Sequence, residues 1–201
     1  GCQVEIIERR GDIRKADFIG GRSINLALSH RGWKAIALTG IEDKIREIAI
    51  PMKGRMIHDT EGNQSLQPYG KEGQAIYSIS RGELNRQLML EASRYNNVSF
   101  SFHKRCIDID LENTKATFID EETGEEYHAS ADGIYGTDGA FSAVRGRMQK
   151  TDRFNFSQEY LAHGYKELVI PANEDGSHQL DKDALHIWPR GQFMLIALAN
   201  L

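Results

Sequence analysis

Gly21-Arg22-Ser23-Ile24-Asn25-Leu26-Ala27-Leu28-Ser29-His30-Arg31-Gly32 is the stretch on which the reading of this chain turns. Ile24, Leu26 and Leu28 alternate with Asn25, Ala27 and Ser29, the period of a strand with one face buried. Ser29 then suits the N-cap of a helix that runs through Trp33, Ala35, Ile36 and Leu38 and stops near Gly40. Arg22 falls in the glycine-flanked loop before the strand, where its guanidinium can reach into a cleft. Asn25 and Ala27 leave room for something flat against the other face. An ordinary strand and helix with a solvated arginine explains the same periodicity.

Working outward, Gln3 to Glu8 reads as a strand with Glu8 at its carboxyl end. In a dinucleotide-binding fold an acid at that place accepts hydrogen bonds from ribose hydroxyls. An exposed carboxylate is the plainer alternative. Asp12 to Gly20 is a charged loop. Ile41, Ile45 and Ile48 form one helical face, and Pro51 is expected to end that helix. Lys53 to His58 and Gln64 to Tyr69 form the arms of a hairpin whose turn, Asp59 to Asn63, contains Gly62. Arg55 and Tyr69 lie on opposite arms, placed to converge.

Ala75 to Ser80 is a further strand, and Ser80-Arg81-Gly82-Glu83 is a capping-box pattern. The helix it opens runs to about Tyr95, with Leu84, Leu88 and Ala92 inward. Val98–Phe102, Cys106–Leu111, Lys115–Ile119 and Glu126–Ala129 alternate and suggest a small antiparallel sheet. Asp132 to Gly136 reads as a buried strand, followed by a glycine turn and a helix from about Ser142. Gly164–Ile170, Ala184–Trp188 and Phe193–Leu198 are expected strands. Ile196 and Leu198, two apart, share one face; His186 lies opposite Leu185 and is read as structural.

Four motifs carry a resemblance: the opening stretch, Pro51-Met52-Lys53-Gly54-Arg55-Met56-Ile57-His58, Gly136-Thr137-Asp138-Gly139-Ala140-Phe141-Ser142-Ala143-Val144-Arg145, and Leu185-His186-Ile187-Trp188-Pro189-Arg190. In this order they resemble the kynurenine 3-monooxygenases, aromatic hydroxylases of the p-hydroxybenzoate-hydroxylase type. The resemblance implies an α/β fold: a Rossmann-like FAD-binding domain over residues 1–150 and the start of a β-sheet substrate domain over 151–201. The hairpin and strand of residues 53–80 would contribute to the substrate site.

The implied activity is NADPH- and FAD-dependent hydroxylation of L-kynurenine to 3-hydroxykynurenine with molecular oxygen, through a flavin hydroperoxide. Arg55 would pair with the amino-acid carboxylate, for which its planar fork is suited, and Tyr69 would help hold that end. Ile76, Leu185, Ile196 and Leu198 would line the aromatic pocket. Glu8, Arg9, Arg10, Ala27, Arg81, Cys106, Asp138 and Gly139 would contact the cofactor. An arginine in a helix's first turn, as Arg81 is, gains nothing from the dipole, which favours a local phosphate or flavin edge. A hydroxylase of the same fold acting on another aromatic acid, and a non-catalytic fragment that binds a partner, remain alternatives.

With 201 residues, 40% hydrophobic and 27% charged, the chain has the balance of a globular protein. A net charge of −4 argues against a nucleic-acid surface. The two cysteines, Cys2 and Cys106, have no metal-ligand spacing, and a reducing cytoplasm is the expectation. No apolar run is long enough for a membrane span. No nucleophile–base pair stands out, as befits chemistry carried by a cofactor. The glycine-rich turn that normally precedes the first strand is absent, so the sequence is expected to be part of a longer protein.

Overall fold

The computed structural model describes residues 1–15, 25–71 and 73–201. Residues 16–24, with Arg22 and the first part of the opening stretch, lie outside the described residues. In chain order the described elements are β1 (Val4–Ile7), β2 (Asn25–Leu28), α1 (His30–Ala37), α2 (Glu42–Glu47), β3 (Ile50–Met52), β4 (Gly54–His58), β5 (Gln64–Pro68) and β6 (Ile76–Ser80). Then come α3 (Arg81–Ala92), β7 (Val98–Ser101), β8 (Lys104–Asp110), β9 (Lys115–Asp120), β10 (Glu126–Ser130), α4 (Ala143–Met148), β11 (Ala184–Arg190) and β12 (Phe193–Ala197). Contacts divide these into two compact units: residues 1–15 with 92–164, and residues 25–91 with 165–201.

In the first unit, β1 pairs in parallel with β7, Val4 facing Val98 and Ile7 facing Ser101. The segment at Val98 therefore belongs to a parallel pair and not to the antiparallel sheet expected for it. That sheet is the meander β10-β9-β8, with a bulge between Cys106 and Asp108. Alternation in β9 buries Ala116 and Phe118 against Ile109 of β8, and Ile7, Cys106, Tyr127, Ile134 and Val144 pack around them. The backbone amide of Lys104 donates to the Glu8 carbonyl at 3.0 Å, tying the end of β1 to the start of β8.

Residues 132–136 form no strand. Only Ile134 packs on the core, and the chain lies so close to α4 that a Cβ at Gly136 would meet Val144 at 2.8 Å. Ser142 caps α4 as expected, accepting from the Arg145 amide.

The second unit holds two sheets. In β2-β6-β3 every pairing is antiparallel, with Leu26 facing Ile79 and Leu28 facing Tyr77. Leu28, Trp33, Ile36, Ile41, Ile45, Ala49 and Ile79 form its core, with Leu84 and Leu88 of α3 against them. Ser29 occupies the N-cap of α1, but its side chain makes no capping bond. α2 ends at Glu47, ahead of Pro51, which lies inside β3. β3 is an edge strand, where a missing N–H costs least. Leu84 and Leu88 of α3 face inward as read, though the helix has no fully buried residue.

The other sheet has the order β12-β11-β4-β5. β4 and β5 are the expected hairpin, β11 runs parallel to β4, and β12 returns antiparallel beside β11. Residues 164–170 form no strand: Tyr165, Leu168, Val169 and Ile170 are exposed, and no strand among the described residues pairs with them. Apolar, β-branched composition alone does not make a strand without a partner backbone.

Candidate active site

Strand register and a ring contact place four of the six expected substrate residues, Arg55, Tyr69, Leu185 and Ile196, on one face. Arg55 faces Gln67 across the hairpin and Leu185 across the parallel seam. Tyr69 lies two residues beyond Gln67, and its amide donates to the Lys53 carbonyl at 3.0 Å, so it shares the side of Arg55. Ile187 faces Ile196, which brings Ile196 to the face of Leu185, and Leu198 follows two residues later, just past the end of β12. The Arg55 guanidinium carbon stands 4.7 Å from the centroid of the Tyr69 ring. The two groups thus converge, in a contact that holds the cation over an aromatic face.

Gly54 makes this possible beside Arg55. A Cβ there would stand 2.6 Å from the Gln67 carbonyl oxygen, closer than the facing backbone allows.

Ile76 lies on the neighbouring sheet, on the same face of β6 as Ser78. That face receives the chain after β12. Asn25 Nδ2 donates to Ser78 Oγ at 3.0 Å and to the Ala199 carbonyl at 2.9 Å, and Ser78 Oγ donates to the same carbonyl at 2.7 Å. Ala27 faces Ser78 in the ladder and is exposed on this side. So Ala27, Ile76 and the residues next to Leu198 gather on one surface. Arg81, also a cofactor expectation, is exposed at the start of α3, whose Glu83 amide donates to Ser80 Oγ at 3.3 Å.

The remaining cofactor expectations sit in the first unit. Glu8 follows β1, and one of its carboxylate oxygens accepts from the Arg10 amide at 2.9 Å. Arg9 and Arg10 are exposed. Burial pushes the half-buried Cys106 thiol up, and the Asp138 carboxylate nearby adds to the effect. Burial also works against ionisation of Asp138, but the Ser142 hydroxyl and the Val144 and Ala143 amides outweigh it and hold the carboxyl below its usual range. Gly139, at φ +81, has open space where a side chain would stand. Arg145 fastens this loop by donating to the carbonyls of Gly139 and Ala140 while its guanidinium lies over Phe156.

Three features went unread in the sequence: the bonds that Asn25 and Ser78 make to Ala199, Gln67 opposite Arg55, and a buried pair, His58 and His186, on the reverse of the sheet. Among the described residues no group of His, Cys, Asp and Glu is placed to hold a metal ion.

Residues 1–174 match the profile described as FAD binding domain. The chain belongs to this FAD-binding family. Similar proteins include the kynurenine 3-monooxygenases of Flavobacterium johnsoniae, 50% identical, and Christiangramia forsetii, 48% identical, each over 201 residues and 100% of this chain. That of Sus scrofa is 43% identical over 199 residues. The chain spans 44% of the two bacterial relatives and 42% of the porcine one, less than half their length. Among solved structures, p-nitrophenol 4-monooxygenase PnpA from Pseudomonas putida matches with TM-score 0.60 at 16% identity, over 74% of this chain and 38% of that one. The flavin-dependent monooxygenase PieE matches with TM-score 0.59 at 16% identity, over 72% and 27%. The fold of this FAD-binding chain is thus that of the flavin monooxygenases of the p-hydroxybenzoate-hydroxylase type.

Proposed function

We propose that the full-length protein hydroxylates L-kynurenine to 3-hydroxykynurenine, using FAD, NADPH and molecular oxygen. The observation that carries this reading is the Arg55–Tyr69 contact on a sheet face that also bears the apolar Leu185 and Ile196. A planar cation beside an apolar wall matches a substrate with a carboxylate at one end and an aromatic ring at the other. The named relatives, which match along the whole chain, support the choice of amino acid.

The residues present fit FAD. Glu8 has a carboxylate oxygen left for a ribose hydroxyl, and Gly139 leaves its backbone open to a close approach. Glu8, Arg9, Arg10, Cys106, Asp138 and Gly139 are the first unit's proposed contacts to FAD, and Ala27 and Arg81 the second's. When bound and reduced by NADPH, FAD supplies the activation of oxygen. The chain's own task is to fix the substrate and exclude water. Arg55 and Tyr69 anchor the amino-acid end, and Ile76, Leu185, Ile196 and Leu198 press on the ring. In this reading residues 1–150 serve chiefly the cofactor, 53–80 contribute to the substrate site, and 151–201 begin the substrate sheet.

No helix among the described residues is long and apolar enough to cross a membrane. Both cysteines are free, which supports a cytoplasmic location.

Kynurenine-stimulated NADPH oxidation by the full-length protein, with the product identified by mass, tests the reading. No stimulation by kynurenine, or stimulation by a different aromatic acid in a substrate panel, overturns it. Arg55→Ala is expected to weaken kynurenine binding by roughly 2–5 kcal/mol with FAD retained. Arg55→Lys should rescue only in part, because an ammonium lacks the fork.

A further inference from the structure

On the reverse of the Arg55 face, His58 of β4 and His186 of β11 are buried, at 7% and 3% exposure. His58 Nε2 and His186 Nδ1 are 2.8 Å apart, and His186 Nε2 is 2.8 Å from the Asp181 carbonyl oxygen. A carbonyl only accepts, so His186 carries its proton on Nε2. Its Nδ1 is then the acceptor, and His58 Nε2–H is the donor. Trp188, next across the seam from His58, stacks on that ring at 4.2 Å and 18°. Arg190 donates from Nη1 to the His58 carbonyl at 3.0 Å and from Nη2 to the Asp59 carbonyl at 2.9 Å.

We propose that the hydrogen-bonded pair His58–His186 is a positioning device for the kynurenine site: it pins β11 to β4 in the one register that sets Leu185 beside Arg55. The proposal rests on the reading of that face as the site. The parallel seam is short, running only from Ala184 opposite Gly54 to Ile187 opposite Ile57. Side chains alternate along a strand, so a slip of one residue would turn Leu185 to the buried side and His186 toward the substrate. Backbone bonds alone distinguish such registers weakly. A directional bond between two buried rings distinguishes them well, because any slip parts His58 Nε2 from His186 Nδ1 and leaves a buried donor without its acceptor.

The device works only while His58 is neutral. A proton added to His58 would set a buried cation beside the Arg190 guanidinium and drive the ring from its place in the seam. The charged or titratable groups around His58 are His186 and the Arg190 guanidinium from β11 and, on its own hairpin, Asp59; Asp181 contributes its carbonyl to the far end of the chain of bonds. Burial first, then His186 and Arg190, lower the His58 pKa from the ordinary 6.5. Acid should therefore loosen the seam and weaken substrate binding without touching Arg55.

The test uses the full-length, FAD-loaded enzyme and compares wild type, Arg55→Ala, His58→Gln and His58→Leu for FAD content, kcat, and KM for kynurenine. His58→Leu should raise KM by about tenfold or more, with kcat at saturation and FAD content little changed. His58→Gln keeps a donor for His186 Nδ1, so its KM should stay within about threefold of wild type. Wild type gives a second readout: its KM should climb as pH falls below 6.5 while kcat holds. Wild-type KM in His58→Leu, equal losses in both His58 variants, or a flat wild-type KM in acid overturns the positioning role. If His58→Leu does not accumulate, the glutamine variant and the acid profile decide. Should wild type ignore kynurenine, or Arg55→Ala bind it normally, the site reading itself fails and takes the positioning role with it.

Discussion

At Arg55 a side chain that is exposed nonetheless has a defined partner, because the Tyr69 ring on the facing arm offers its π-surface. This meeting was legible in the sequence: a hairpin with both residues on the same side of its two arms leaves little choice. The closeness of the arms is a separate matter. Gly54→Ala would set a methyl against the Gln67 carbonyl, part of the backbone and unable to swing away. That variant should lose about 1–3 kcal/mol of stability and raise KM for kynurenine, checked by urea melts and steady-state kinetics.

Asp138 is held in its ionised form by its own loop. Its carboxylate accepts from the Ala143 amide at 2.7 Å and the Val144 amide at 3.3 Å, and its pKa is held below the ordinary 3.8. The ionised form is thus the one the fold prefers. Its contribution is complete above 3.8 and is lost as pH falls below that value. Asp138→Ala should cost about 1 kcal/mol at neutral pH and flatten the acid limb of stability, read from melting temperature against pH.

Elements were read well where a local pattern and a partner strand coincide, as in β2, β4, β6, β11 and β12, and badly where one was missing. Pro51 looks like a helix stop, yet the last turn of α2 has already closed at Glu47 and the proline serves an edge strand. Residues 164–170 have strand composition but no neighbour among the described residues to bond with. Val98–Ser101 has the right conformation but pairs with β1, a partner over ninety residues earlier that no local signal names. The bonds made by Asn25 and Ser78 act at this scale too, since they join β2 and β6 to the stretch after β12. Asn25→Ala removes two hydrogen bonds and leaves Ser78 alone on the Ala199 carbonyl. It should cost about 1–3 kcal/mol in thermal stability and raise KM more than it changes FAD content, because the loosened stretch carries Leu198.

For the molecule as a whole, the fold class and the order of motifs were legible, while the seams were not. His58 and His186 are 128 positions apart, and nothing in either neighbourhood announces the other. The division into two units has the same character, since each is assembled from two separate stretches of chain.

The parallel seam between β4 and β11 also says something about how this protein comes into being. On a ribosome the β4–β5 ribbon emerges long before residues 184–190 have been added, so the strand bearing Arg55 waits with one side of its backbone uncovered. An isolated two-stranded ribbon is barely stable in water. The later-made strands β11 and β12 therefore cover this edge, and until they dock, the nascent protein presents a hydrogen-bonding edge to any other strand within reach.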